Sequence, residues 1–96
     1  MEQEEFKALL SKEGFEEVAV VTREPNGHVD EHVHTFEAKA LILDGEIRLR
    51  LEDGERLYRP GQVFHILASV PHIEWYGPQG VKYLVGRKSI APVSGG

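Results

Sequence analysis

The 96-residue chain contains no cysteine, so disulfides and thiolate metal sites are both excluded. Any bound metal must rest on histidine and carboxylate ligands. It also lacks an apolar run long enough to span a bilayer, and the acidic opening Met1-Glu2-Gln3-Glu4-Glu5 has neither the basic nor the apolar region of a secretory signal. The expectation is a cytoplasmic protein with no membrane contact. Basic charge is scarce as well. The formal net charge is -5, and Lys and Arg are scattered, whereas a nucleic-acid partner calls for a concentrated basic face. Catalytic signatures of other kinds are missing. Ser11, Ser69, Ser89 and Ser94 have no Gly-x-Ser-x-Gly setting, and no glycine loop is arranged to cradle phosphate.

What remains is an ordinary globular composition, with 41% hydrophobic and 28% charged residues, sized for one domain with a modest core. Phe6, Leu9 and Leu10 form one helical stripe within Glu2 to Lys12, with acids in the first turn and Gly14 placed to end it. The chain then turns to strands. Val18 to Thr22 is β-branched. Asp44-Gly45 and Asp53-Gly54 each read as hairpin turns, because glycine readily takes positive φ. Between them Ile47, Leu49 and Leu51 alternate with Arg48, Arg50 and Glu52, the pattern of a strand with one buried face. Further strands are expected at Gln62 to Leu67, His72 to Tyr76 and Val81 to Gly86, with Gly77-Pro78-Gln79-Gly80 as a turn. The expected organisation is a helix over 1–14, one β-domain over 15–90 and a loose tail over 91–96. Strands at this spacing predict an all-β sandwich, jelly roll or small barrel.

His32 and His34 stand out chemically. On an extended segment the two rings of His-x-His share a face, and His72 from a distant strand would complete a three-imidazole set with open coordination positions. The competing account is three surface or core histidines. Glu74 lies two residues after His72, so strand parity puts both on one side. It is a candidate fourth ligand, a general acid or base, or a group that braces an imidazole, against the plainer alternative of a glutamate in solvent. Glu37 has the opposite parity to the histidines and shares a face with Lys39, where a solvated ion pair is the ordinary outcome. Ala38 and Ala40 continue the parity of the histidine face and leave room inside a barrel. Tyr76 and Phe36 share it too. Trp75 is expected on the outer sheet face, where it suits a dimer contact.

From Gly27 through His32 and His34 to Gly45 the chain resembles the first cupin motif, and from Arg59-Pro60-Gly61 to Val70-Pro71-His72 it resembles the second. The two motifs cover about half the chain. Ala38 stands where the first motif usually has glutamate. In the second, Leu67 and Ser69 stand where Pro and Gly are common, and Tyr76 stands at the usual Asn. The resemblance implies a double-stranded β-helix, a jelly-roll barrel whose interior holds the site. It also implies a divalent transition metal, with iron, manganese, nickel, copper and zinc all compatible with imidazole, and a small-molecule ligand or substrate in a homodimer. Two functions are carried forward. One is a metal-dependent enzyme of dioxygenase or related type acting on a small organic molecule. The other is a non-catalytic ligand-binding or sensor protein.

Overall fold

The computed structural model describes residues 1–89, so the tail expected at 91–96 lies outside the described residues. Helix α1 spans Gln3–Lys12 and is followed by strands β1 Glu17–Arg23, β2 His28–His32, β3 Phe36–Leu51, β4 Gly54–Tyr58, β5 Val63–Ile66 and β6 His72–Ser89. The helix ends as its sequence requires. Gly14 takes φ +85, the Phe15 N–H donates to Leu10 O at 2.9 Å and the Gly14 N–H to Ser11 O at 3.2 Å. These paired bonds satisfy carbonyls that the last turn would otherwise leave open.

Two long strands organise the rest. β3 and β6 pair antiparallel, β1 and β2 both lie on the far edge of β6, and β4 and β5 both lie on the far edge of β3. The first half of β3 therefore runs between β5 and the second half of β6, which continues to β1. The second half of β3 runs between β4 and the first half of β6, which continues to β2. The outcome is two antiparallel faces joined by shared, bent strands, as expected of the double-stranded β-helix.

The bends fall where the sequence suggested turns. Asp53-Gly54 does close the β3–β4 hairpin, with Leu51 opposite Gly54. Asp44-Gly45 does not reverse the chain. It lies inside β3, where the register shifts on both sides of it. Gly77 to Gly80 is likewise not a terminal turn but an excursion within β6, between Tyr76 opposite Ile47 and Val81 opposite Gly45. The reason is the opposing backbone. Gly45 at φ +71 approaches Gly80 so closely that a Cβ on Gly45 would stand 2.1 Å from Gly80 O. Positive φ serves a bulge as well as a hairpin.

Each bulge reverses side-chain parity. Inward residues are Ala38, Ala40 and Ile42 before the bend in β3, then Ile47 and Leu49 after it. In β6 the inward set changes from His72, Glu74 and Tyr76 to Val81, Tyr83 and Val85. A second cluster, Phe6, Leu10, Phe15, Leu41 and Leu84, packs α1 on the outer face. Burying a side chain of this size stabilises by about 1.5–3 kcal/mol. A Cβ on Gly86 would meet Leu10 at 2.8 Å, so the helix seats directly on strand backbone.

Candidate metal centre

β2 ends at His32, and Val33, His34 and Thr35 then carry the chain to β3. His34 thus lies in the linker rather than on the strand. Its position is set by the Ser69 N–H, which donates to His34 O at 2.8 Å and ties the linker to the loop before β6. His72 begins β6 directly opposite His32, and Glu74 follows on the same face. Donor atoms of His32, His34, His72 and Glu74 all lie within 4.8 Å of one another, and the cluster could bind a metal ion.

Hydrogen bonds orient two of the rings. His32 Nδ1–H donates to Asp30 O at 2.8 Å and His72 Nδ1–H to Val70 O at 2.9 Å. A carbonyl can only accept, so each proton belongs on Nδ1 and each Nε2 lone pair faces the cluster. Glu74 Oε2 sits 3.1 Å from His32 Nε2 and 3.4 Å from His72 Nε2. Neither contact is a hydrogen bond, since an imidazole lone pair cannot donate to a carboxylate, and His72 Nε2 is buried with no hydrogen-bond partner. An orphaned nitrogen in a side chain 1% exposed is unfavourable unless something fills the cluster. Glu74 Oε1 accepts from the Tyr76 hydroxyl at 3.0 Å, which leaves Oε2 directed at the imidazoles.

Protonation follows from these contacts. Burial lowers the pKa of His72, but the Glu74 carboxylate and the Val70 carbonyl outweigh it and hold the group above its ordinary value. Burial, followed by the neighbouring His72 and His32, lowers that of His34. Burial favours protonated Glu74, yet contacts with His72 and Tyr76 prevail and keep it below the usual carboxylate range. Burial and adjacent Glu74 push Tyr76 upward, so its hydroxyl remains a donor.

The other candidates fall elsewhere. Glu37 faces outward and pairs with His65 rather than Lys39, whose ammonium lies 2.8 Å from Glu13. The expected Glu37–Lys39 pair is replaced because β5 and the helix end supply closer partners. His28 pairs with Asp30 at 2.7 Å and packs on Trp75, ring centroids 5.3 Å apart. His34 stacks on Phe36 at 4.6 Å. A cavity of about 620 Å³ opens beside the cluster, lined by Ala38, Phe64, Ile66, Tyr83 and Val85 together with the polar groups of Arg23 and Arg87. Sequence reading missed both arginines. Alternation carried beyond Val85 would have found Arg87.

The family model for the cupin domain matches residues 19–84. The chain belongs to the cupin family. No curated protein gives a significant sequence match. Among solved structures, oxalate decarboxylase from Bacillus subtilis is similar at TM-score 0.64 and 21% identity, over 78% of this cupin and 22% of that chain. A cupin-2 domain containing protein from Shewanella frigidimarina is similar at TM-score 0.62 and 16% identity, over 76% and 69%. The Cnp3 cupin domain of Schizosaccharomyces pombe is similar at 0.68 and 13%, over 76% and 55%. This cupin therefore spans about a fifth of the decarboxylase, and at these identities the likeness is one of fold. Mn(II) centres are described for that decarboxylase.

Proposed function

We propose that this cupin binds one divalent transition metal through His32, His34 and His72, with Glu74 beside them, and acts as a metal-dependent enzyme of dioxygenase or related type on a small organic molecule. The observation that carries the reading is the buried, partnerless Nε2 of His72, which converges with His32 and Glu74 on one point. A bound metal would supply Lewis acidity and open positions for a substrate. His32 and His72 are held in the ligating tautomer by backbone carbonyls. Tyr76 holds Glu74 Oε1, so Oε2 is the oxygen available to the metal or to a substrate proton. Imidazole ligands suit iron, manganese, nickel, copper and zinc alike.

The test is elemental analysis of untagged protein purified without added metal, followed by metal titration. One equivalent of a divalent metal, lost in His72→Ala, supports the reading; no metal under any loading condition refutes it. A second reading has an observation of its own. With Glu74 Oε1 held by Tyr76, a metal that took Oε2 as well would leave no carboxylate oxygen in the cluster free for proton transfer. That favours a non-catalytic ligand-binding or sensor cupin. Ligand binding without turnover in the metal-loaded protein would select it. Exposed Val18 and Val20, at 46% and 54% on β1, support a homodimer. No described helix is long and apolar enough to cross a membrane, and the cytoplasmic assignment stays part of the proposal.

A further inference from the structure

The cavity wall beside the metal cluster has a polarity that follows from strand register. Across the inner face, Arg87 on β6 neighbours Ala38 on β3, which neighbours Ile66 on β5. The next row is Val85, Ala40 and Phe64. Ala38 and Ala40 are buried, and methyl groups at these positions lower the floor between a guanidinium on one side and bulky apolar groups on the other. The guanidinium is the end nearer the imidazoles. Arg87 Cζ lies 5.5 Å from the Phe36 ring centroid, the same ring on which His34 stacks. Among the described residues its hydrogen-bond partner is the largely exposed Glu17, through one long Nη1–Oε1 contact of 3.4 Å. A five-donor fork is thus held in the cavity wall with little to bind. Arg23 and Glu24, of opposite charge, also line the space.

We propose that this wall sets the substrate class as a compact monocarboxylate with an apolar body, its carboxylate between Arg87 and the metal cluster and its body over Ala38 against Ile66 and Phe64. The proposal rests on the metal-centre reading above. A divalent ion with neutral imidazoles and one carboxylate keeps net positive charge, so an anion at its open positions is favoured twice, by the ion and by Arg87. A dicarboxylate of similar length is disfavoured because its second charge would be buried beside Ile66 and Phe64. A neutral amide of the same shape leaves the guanidinium unanswered.

Calorimetric titration with benzoate and benzamide tests this on metal-loaded and metal-free protein. Benzoate should bind the loaded wild type roughly tenfold or more tightly than benzamide, the ratio expected for one hydrogen-bonded charge contact. Arg87→Met should shrink that preference in the loaded protein, where the ion still favours the anion, and abolish it in the metal-free protein, with metal content unchanged. Ala38→Leu should abolish benzoate binding and retain acetate, because it fills the floor and not the anion site. Equal binding of benzoate by wild type and Arg87→Met overturns the proposal, as does absence of benzoate binding to loaded wild type at millimolar concentration. Failure of the metal reading is separable: protein that takes up no metal but still prefers benzoate through Arg87 refutes the metal centre and leaves the anion wall standing.

Discussion

Tyr76→Phe removes one oxygen from the cavity wall and keeps the ring, so its effect isolates a single hydrogen bond. That bond joins the Tyr76 hydroxyl to Glu74 Oε1 at 3.0 Å, and the Glu74 side chain is 12% exposed. A hydrogen bond to a charged group is worth about 1.5–3 kcal/mol, and loss of a group that orients a ligand lowers metal affinity about 10- to 100-fold. In the loaded protein the metal itself would also fix Glu74 Oε2, so part of its orientation survives and the lower end applies. The expected result is metal affinity weakened about tenfold, measured by competition against a chelating dye. In a Glu74→Ala background the same substitution should have little further effect, because the partner is gone. Gly27→Ala approaches the bond from the other side. Its Cβ would stand 2.6 Å from Tyr76 Cδ2, so the ring must move and affinity should again fall. Tyr76→Phe protein that binds metal as tightly as wild type would refute the reasoning, as would a tenfold loss that persists without Glu74.

Glu74→Gln should reduce metal affinity, and turnover if an activity is found, more than Glu37→Gln, since Glu37 faces His65 on the outer surface; equal effects measured at matched metal loading would count against the parity argument. Metal affinity should be independent of pH only above the raised pKa of His72 and fall as pH drops through it, since protons compete for its Nε2. Glu74→Gln, which removes the carboxylate that raises it, should shift the onset of that decline to lower pH; an unmoved onset in titrations across pH would contradict this. Gly86→Ala places a Cβ 2.8 Å from Leu10 and 3.1 Å from Phe15 and should destabilise the fold by about 1 kcal/mol or more, with metal affinity intact because the clash is on the helix side. Urea unfolding with an unchanged midpoint would show that α1 yields without loss.

The strand content was legible because it is written locally. Ile47, Leu49 and Leu51 alternate with charged residues, and Asp53-Gly54 turns the chain where expected. Asp44-Gly45 is the same kind of dipeptide and does a different job. What separates the two is the surroundings. Gly54 has nothing within 4 Å of where a Cβ would be, whereas Gly45 meets the Gly80 carbonyl. The second contact comes from a remote part of the chain, so no local window contains it. For the same reason β3 and β6 read as shorter strands interrupted by turns.

The same distinction explains which site residues could be read. His72 and Glu74 precede the excursion in β6, so counting by two places them on one face, and the fold brings them to His32 and His34. Arg87 follows the excursion. From Tyr76 to Val81 is an odd step between two inward residues, so a count begun at His72 turns Val85 and Arg87 outward. Begun afresh at Val81, it runs through Tyr83 and Val85 to Arg87, all on the cavity side. His72 and Glu74 on the one hand and Arg87 on the other therefore belong to opposite parities of one continuous strand, and the length of the Gly77–Gly80 excursion decides whether they face the same space.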